Sequence, residues 1–163
     1  MDTYYKNYLI RDWQANDRLA TAKIIETILT EYGLPWQPEE ADKDVIEIEQ
    51  YYYNIGGEFW VIEHQGNIVG TAAYYPIIKK DKAVEIRKMY LLPQVRKQGL
   101  GKFLLEQLEI AIKQQGFTKI LIETSSLLKE AVILYEKNGY LPIIEVETKR
   151  CDRAYVKELS IDM

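Results

Sequence analysis

The chain has 163 residues, of which 47% are hydrophobic and 28% charged, a composition typical of a folded protein, and we expect residues 1–163 to form a single domain. No run of residues approaches the roughly 20 apolar positions of a membrane-spanning helix, and the N-terminus lacks the pattern of a secretory signal. The single cysteine excludes a disulfide within the chain and fits a cytoplasmic protein, while the net charge of −4 disfavours a nucleic-acid-binding protein.

The N-terminal third predicts one strand and two helices. Alternation of apolar and polar side chains over residues 8–13 indicates that the chain opens with a strand. Asn16 or Asp17 can cap a helix that runs to about residue 32 and is ended by Gly33. The apolar residues expected on the core side of this helix are Leu19, Ile24, Ile28 and Leu29. A second, acidic helix is predicted at residues 40–53.

The remainder of the chain predicts six strands and two helices. Strands are expected at residues 59–63, 68–78, 83–92, 120–124, 141–146 and 154–161, and helices at 100–115 and 127–137. Gly116 and Gly139 follow the two helices, where a glycine often ends a helix. The order is β-α-α-β-β-β-α-β-α-β-β, which indicates an α/β sandwich with a mixed sheet.

Positive charge is concentrated in one short segment of this acidic chain. Residues 1–58 hold twelve acidic and five basic side chains, whereas residues 79–102 hold eight basic and two acidic ones. Such a segment can bind a small polyanion. It can equally be a solvated basic surface, and charge alone does not decide between the two.

The loop between the predicted strand 83–92 and the predicted helix 100–115 has the features of an anion site. It carries Arg96, Lys97 and Gln98 and then Gly99-Leu100-Gly101-Lys102. The first amide groups of a helix have no acceptor inside it, and the helix dipole adds positive charge there. Glycines let a phosphate approach the backbone closely. We therefore interpret the segment as a diphosphate cradle.

Two other interpretations compete with the cradle. The glycines can simply shape a tight turn beside solvated basic residues. A dinucleotide-binding fold is the other rival, because Gly99, Gly101 and Glu123 loosely imitate its glycines and distant acid. Leu104 occupies the place of its third glycine, and too little chain follows for repeated βαβ units, so we reject this second alternative.

Two motifs make the resemblance specific. The segment KMYLLPQVRKQGLGK at 88–102 resembles the acetyl-CoA signature of the GNAT family of N-acetyltransferases, with Arg96, Gly99 and Gly101 in the family's positions. The segment AVILYEKNGY at 131–140 resembles the family's second motif. Lys97 stands where the family usually has glycine, and Leu128 replaces a common asparagine. The likeness covers roughly residues 58–146.

The resemblance implies a mixed, mostly antiparallel sheet flanked by helices, and acetyl-CoA as co-substrate without a metal. It places the pantetheine arm along the strand of Met89, where the Leu91 amide would bind the developing oxyanion, and it makes Tyr135 the acid that protonates the departing thiolate. The implied cofactor-binding residues are Met89, Tyr90, Leu91, Arg96, Lys97, Gln98, Gly99, Leu100, Gly101 and Lys102.

The acceptor side is less defined by the sequence. Simple alternation along the strand puts Glu85 on the same face as Met89 and Leu91, although a bulge in the strand would change this, and Glu85 is a candidate base. Pairing of Glu85 with Arg87 or Lys88 is an alternative, and no dedicated base is required. Glu123 is a weaker candidate. Tyr32 and Trp36 are candidates to line the acceptor pocket. The acidic run can attract a cationic amine or can simply form the solvated face of a helix, and it comprises Glu39, Glu40, Asp42, Asp44, Glu47 and Glu49. Cys151 is expected to be a bystander.

The sequence thus predicts an acetyl-CoA-dependent N-acetyltransferase that acetylates a primary amine of a small molecule or peptide by direct attack in a ternary complex. Neither a nucleic acid nor a membrane is an expected partner, and a homodimer is possible. The alternatives are a catalytically silent acyl-CoA-binding sensor and an acyltransferase for longer acyl groups.

Overall fold

The computed structural model describes residues 1–160 and folds them around one sheet of eight strands. The strands are β1 (Asp2–Tyr5), β2 (Tyr8–Asp12), β3 (Glu58–His64), β4 (Asn67–Pro76), β5 (Ala83–Leu91), β6 (Lys119–Thr124), β7 (Leu141–Ile143) and β8 (Arg153–Glu158). The α-helices are α1 (Arg18–Glu31), α2 (Lys43–Ile46), α3 (Ile48–Tyr51), α4 (Leu100–Gln114) and α5 (Lys129–Lys137). Short 3₁₀ turns lie at Ala15–Asp17, Tyr53–Ile55 and Pro93–Val95.

The sheet is mixed, with the strand order β1-β2-β3-β4-β5-β6-β8-β7. Neighbouring strands are antiparallel except β5 and β6, which run parallel and are connected through α4. The predicted α/β fold class, with a mostly antiparallel sheet flanked by helices, is confirmed. Pairing of β5 with β6 ends at Ile86 opposite Ile122, although both strands continue. A gap therefore opens between their C-terminal ends.

Helices cover both faces of the sheet. On one face α4 buries Leu104, Leu108 and Ile112, whose helical spacing forms a continuous apolar stripe, and α5 packs beside it. On the other face α1 buries Ile25 and Leu29 next to α2 and α3. We call these the α4–α5 face and the α1–α3 face. The gap between β5 and β6 connects the two.

The N-terminus forms a hairpin rather than the single strand predicted. β1 pairs with β2 from Asp2 opposite Arg11 to Tyr5 opposite Tyr8. The residues of β1 are exposed or half-buried, so its sequence lacks the apolar alternation that indicates a strand. The prediction that Leu19 faces the core is also wrong, because it is 86% exposed. It lies nine residues, about two and a half turns, from the buried Ile28, which places it on the opposite side of α1.

The acidic helix predicted at residues 40–53 is broken into α2, α3 and a 3₁₀ turn. Glu47, with φ of −120° and ψ of 56°, separates α2 from α3, and Tyr52 also leaves helical geometry. These breaks bring the carboxylate of Asp44 to the Tyr52 hydroxyl and within 3.3 Å of the Lys88 ammonium group. Such distant polar partners leave no periodic signal in the sequence.

The other predicted elements are present, with small changes at their ends. The helix predicted from residue 127 begins at Lys129, and the strand predicted at 141–146 ends at Ile143. The strand predicted at 154–161 corresponds to β8, and its predicted end at Ile161 lies outside the described residues. Within residues 1–160 no helix is long and apolar enough to cross a bilayer.

Candidate active site

The loop after β5 leads to a helix N-terminus that has no side-chain cap. Gly99 precedes α4 with φ of +86°, and its position leaves the first amide groups of the helix without an acceptor. Lys97 adopts φ of +61°, the left-handed conformation that glycine accepts most readily. A glycine would adopt this conformation without strain, and a lysine adopts it here.

A cavity of about 280 Å³ lies against this helix N-terminus and extends along β5 to α5. We call it the donor cavity. Eight of the ten predicted cofactor-binding residues line it, namely Met89, Tyr90, Leu91, Arg96, Lys97, Gly99, Gly101 and Lys102. The side chain of Leu100 is buried in the core, and that of Gln98 donates to the Gln94 carbonyl. The signature segment is thus gathered around one space.

Arg96 is already engaged by protein groups. Its two terminal nitrogens bind the carboxylate of Glu31, at the end of α1, at 2.7 and 2.8 Å, and its guanidinium lies 5.2 Å from the centre of the Tyr32 ring. Its Nε donates to the Leu91 carbonyl at 2.9 Å. Lys97 and Lys102 form no ion pair within residues 1–160 and are exposed. The cations free to bind an anion here are therefore the two lysines.

The backbone of Leu91 faces the gap between β5 and β6. The amide of Leu92 donates a hydrogen bond to the Val69 carbonyl at 3.0 Å. Hydrogen-bonded and non-hydrogen-bonded residue pairs alternate along two antiparallel strands, so the next pair, Leu91 opposite Gly70, makes no hydrogen bonds between β4 and β5. The N–H and C=O groups of Leu91 consequently point away from β4. The amide predicted to bind the oxyanion is directed into the gap.

Tyr135 projects from α5 toward the same gap. It is only 4% exposed, its ring lies 5.8 Å from Tyr140 and 6.1 Å from Tyr155, and it lines the donor cavity. Its hydroxyl has no hydrogen-bond partner within residues 1–160. Burial, with smaller contributions from Tyr90 and Tyr155, raises the pKa of Tyr135 far above its usual range. The side chain therefore keeps its proton at neutral pH and has that proton free to donate.

A β-bulge reverses the expected orientation of Glu85. Thr71 pairs with Tyr90 and Ala73 with Arg87, so β5 carries one extra residue opposite Ala72. The extra residue shifts the alternation of side chains by one position. Met89 and Leu91 pack against the α4–α5 face, whereas Glu85 lies on the opposite side of the strand from the buried Ile86 of that face. The prediction that Glu85 and Met89 share a face is wrong.

Glu85 nevertheless reaches the gap. A smaller cavity of about 60 Å³ between β5 and β6 is lined by Glu85, Glu123 and Tyr135, among others, and connects the two faces of the sheet. The Nε of Arg87 lies 3.4 Å from the Glu85 carboxylate, which is the pairing considered as an alternative. Burial raises the pKa of Glu85 to about 7, and the charge of Arg87 only partly opposes this.

Comparison with known proteins agrees with this geometry. The family model described as "Acetyltransferase (GNAT) family" matches residues 22–140. The chain belongs to the GNAT acetyltransferase family. The family and the acyltransferase class predicted from the two motifs are therefore confirmed.

Relatives of this GNAT acetyltransferase include bacterial proteins of similar length. The uncharacterized N-acetyltransferase YjgM of Escherichia coli K12 is 33% identical over 135 residues, which cover 81% of each chain. A GNAT-family acetyltransferase from Staphylococcus aureus Mu50 has the same fold, with a TM-score of 0.86 and 23% identity over 94% of this chain and 99% of that one. YncA of Salmonella typhimurium, whose structure contains acetyl-CoA, has a TM-score of 0.70 at 20% identity over 97% of each chain.

In this acetyltransferase the two buried carboxylates of the acidic segment, those of Asp42 and Asp44, are paired with basic groups of the protein. Asp42 is 0% exposed, lies 2.9 Å from the Lys88 ammonium group and is bound by both terminal nitrogens of Arg150. Burial would raise the pKa of Asp42, but Arg150 and Lys88 outweigh it and lower the pKa to about 2. Asp44 is buried beside Lys88. These two carboxylates are therefore neutralised by the protein itself, which corrects the acceptor role predicted for them.

The aromatic residues predicted near the acceptor occupy different surroundings. Tyr32 lines the donor cavity, and its hydroxyl donates to Glu130 of α5 at 3.1 Å across the cavity mouth. Trp36 packs, half-buried, on the core of the α1–α3 face. Tyr32 therefore borders the donor cavity, where the residue after α1 contacts the N-terminus of α5.

The segment 144–152 between β7 and β8 was not predicted to reach the site. It returns over the gap because the carboxylate of Glu123 accepts the amides of Glu147 and Thr148 at 3.1 and 2.8 Å. Arg150 and Cys151 consequently line the smaller cavity. Burial raises the pKa of the Cys151 thiol to about 11, so this cysteine is protonated and is a poor nucleophile at neutral pH.

Proposed function

We propose that this protein transfers the acetyl group of acetyl-CoA to a primary amine by direct attack in a ternary complex. The observation that carries the proposal is the donor cavity. Its walls include an uncapped helix N-terminus, the side chains of Lys97 and Lys102, unpaired in the described part of the chain, the backbone of Leu91 and the side chain of Tyr135. Acetyl-CoA in the structure of the relative YncA supports the choice of donor.

The diphosphate fits the start of α4. Backbone amides there and the ammonium groups of Lys97 and Lys102 supply hydrogen bonds and positive charge. A Cβ atom at Gly101 would lie 3.4 Å from Leu134, an ordinary contact, so the fold does not itself require glycine there. Leaving that position without a side chain keeps the space open for a phosphate. Arg96 acts in this proposal by holding the loop to Glu31 and Leu91.

The reaction requires a polarised thioester and a protonated leaving group. The amine nitrogen forms a bond to the carbonyl carbon, and the bond from that carbon to sulfur breaks. The amide N–H of Leu91 stabilises the negative charge that develops on the carbonyl oxygen, and it is already aligned before the charge appears. Tyr135 gives its proton to the departing sulfur and regains one from solvent.

Glu85 accepts the proton that the amine loses. With a pKa of about 7, its carboxyl group is partly ionised at neutral pH, as a general base must be. Its position on the α1–α3 side of the bulge lets the acceptor approach from the face opposite the α4–α5 layer. Arg87 at 3.4 Å keeps the charged form accessible in spite of burial.

The acceptor has a suitable path to Glu85. A second cavity of about 280 Å³ on the α1–α3 face is lined by the four carboxylates of Glu85, Glu123, Glu145 and Glu147 and also by Lys79 and Lys80. The carboxylates outnumber the ammonium groups, which favours a cationic amine. In our proposal this cavity takes the role first given to residues 39–49, whose carboxylates at 42 and 44 are paired with basic groups.

Release of free CoA thiol from acetyl-CoA in the presence of a panel of amines tests the function. Acceptor-dependent release, with an acetylated amine of matching amount, is the expected result. Tight CoA binding measured by calorimetry without acceptor-dependent release would instead identify an acyl-CoA sensor. Comparison of acetyl-CoA with longer acyl-CoA donors, at one amine, tests the acyl-chain preference.

A further inference from the structure

The N-terminal hairpin makes its hydrogen bonds to the phosphate-side loop at Gln98. The hydroxyl of Tyr5 donates to the Gln98 carbonyl at 2.7 Å, and the ammonium group of Lys6 donates to the same oxygen at 3.3 Å. The Tyr8 hydroxyl lies 3.3 Å from the side-chain oxygen of Gln98. The Tyr5 ring also packs on Phe103 of α4, with 4.8 Å between centroids. The hairpin is thus fixed to the loop and to the helix that follows it.

The Tyr5 contact determines which way one peptide group points. The C=O of Gln98 and the N–H of Gly99 belong to the same planar trans peptide, in which the two bonds point in opposite directions. A carbonyl held on the hairpin therefore turns the Gly99 N–H away from the hairpin. Gly99 lines the donor cavity. The amide is consequently presented on the side where we place the diphosphate.

Tyr5 and Gly99 are also matched in shape. Gly99 has φ of +86°, and a Cβ atom there would collide with the Tyr5 hydroxyl. The close approach of the hydroxyl therefore leaves no room for a Cβ atom, and the left-handed backbone also favours glycine. The loop keeps this conformation through a contact with a strand that lies more than ninety residues earlier in the chain.

We propose that Tyr5 is a positioning residue for the diphosphate of the acyl donor, because its hydroxyl holds the Gln98–Gly99 peptide with the amide toward the phosphate. The inference rests on the proposed function, since it assumes that CoA binds in the donor cavity. Tyr5 itself does not touch the donor. It acts through the orientation of one backbone amide.

The variant Tyr5→Phe removes the hydroxyl and retains the ring that packs on Phe103. We expect the Kd for CoA and the KM for acetyl-CoA to rise about fivefold to tenfold, the loss of roughly one hydrogen bond, with kcat unchanged. Tyr4→Phe is the matched control, because Tyr4 is on the same strand, is 66% exposed, and as the neighbour of Tyr5 points to the opposite face of β1. Its constants should equal those of the wild type.

A donor without a diphosphate separates positioning from a general structural effect. With S-acetylpantetheine, wild type and Tyr5→Phe should have equal kcat/KM, because the amide at Gly99 then has no phosphate to bind. An equal loss with both donors would overturn the inference. Should Tyr5→Phe fail to fold, Lys6→Met removes the second donor to the same carbonyl, and it should raise the KM for acetyl-CoA about twofold and leave S-acetylpantetheine unaffected.

Failure of this inference is distinguishable from failure of the proposed function. If the wild-type protein binds no CoA, both the proposed function and the role of Tyr5 are refuted. If the wild-type protein binds CoA and Tyr5→Phe has the same Kd, only the role of Tyr5 is refuted.

Discussion

Replacement of Glu85 by glutamine tests the acceptor side with little change in shape. The glutamine fills the same space between β5 and β6 but cannot accept a proton from the amine. Burial raises the pKa of Glu85 to about 7 in the wild type. Because the carboxylate is the form that acts as a base, wild-type activity should rise as the pH increases through 7 and become constant above about 8.

The size of the effect follows from this pKa. A group that titrates at about 7 is roughly 10% ionised at pH 6 and roughly 90% ionised at pH 8, so kcat/KM should increase about ninefold over that range. In Glu85→Gln this increase should disappear. At pH 8 the variant should be slower by about a hundredfold or more, the usual contribution of a general base.

The assay measures kcat/KM from pH 5.5 to 9 with an acceptor amine whose own pKa is below about 5, so that the amine stays neutral and only groups of the enzyme titrate. Glu26→Gln, on the exposed side of α1, is the control and should keep the wild-type profile. A flat wild-type profile between pH 6 and 8 would refute the assignment of the base. Persistence of the inflection in Glu85→Gln would refute it equally.

Three further changes test the donor cavity and the buried ion pairs. Gly101→Glu should abolish CoA binding in calorimetry and leave the circular dichroism spectrum unchanged, because the fold has room for a Cβ but the carboxylate would face the phosphates. Tyr135→Phe should lower kcat about a hundredfold with a near-normal Kd for CoA, whereas a wild-type rate would remove the role as acid. Asp42→Asn removes the buried negative charge that pairs with Lys88 and Arg150. It should lower the free energy of unfolding by about 3–5 kcal/mol and the Tm by about 6–20 °C. In the wild type the low pKa of Asp42 means that this stabilisation is present above about pH 4 and is lost as the pH falls toward 2, which acid unfolding of both proteins would show.

The regular elements of the sheet and the long helices could be predicted from local patterns. β3 to β6 and α4 bury continuous apolar stripes, and glycine marks the ends of α1 and α4. β1 and the breaks between α2 and α3 could not be predicted. β1 pairs in a local hairpin but has no apolar period, and the breaks coincide with contacts to distant residues, such as that of Lys88 with Asp44.

The donor side of the site was predictable to a greater extent than the acceptor side. A phosphate-binding loop is formed by consecutive residues, so the segment 88–102 carries its own signal. The proposed acceptor side is assembled from separate parts of the chain. The orientation of Glu85 depends on a single extra residue, and Lys88 with φ of +52° is the local sign of the bulge. No rule of alternation detects it.

Single residues of the motif also acquire their partners only in the fold. Arg96 matches the family signature, yet its guanidinium binds Glu31 of α1. Arg150 lies in a segment without periodicity and closes on Asp42, which is more than a hundred residues away in the chain. Sequence patterns identify such residues as basic, but they do not show which basic groups remain free to bind a ligand.

The bulge in β5 turns the side chains before and after it toward opposite faces of the sheet. Glu85 lies on the α1–α3 face, and Met89 lies on the α4–α5 face. The walls of the cavity beside Glu85 come partly from residues 77–80, which follow β4, and from the segment 144–152. Such loop segments accept insertions and substitutions without disturbing strand pairing. In the proposed function, changes in these loops can therefore alter which amine is accepted while the donor cavity stays as it is.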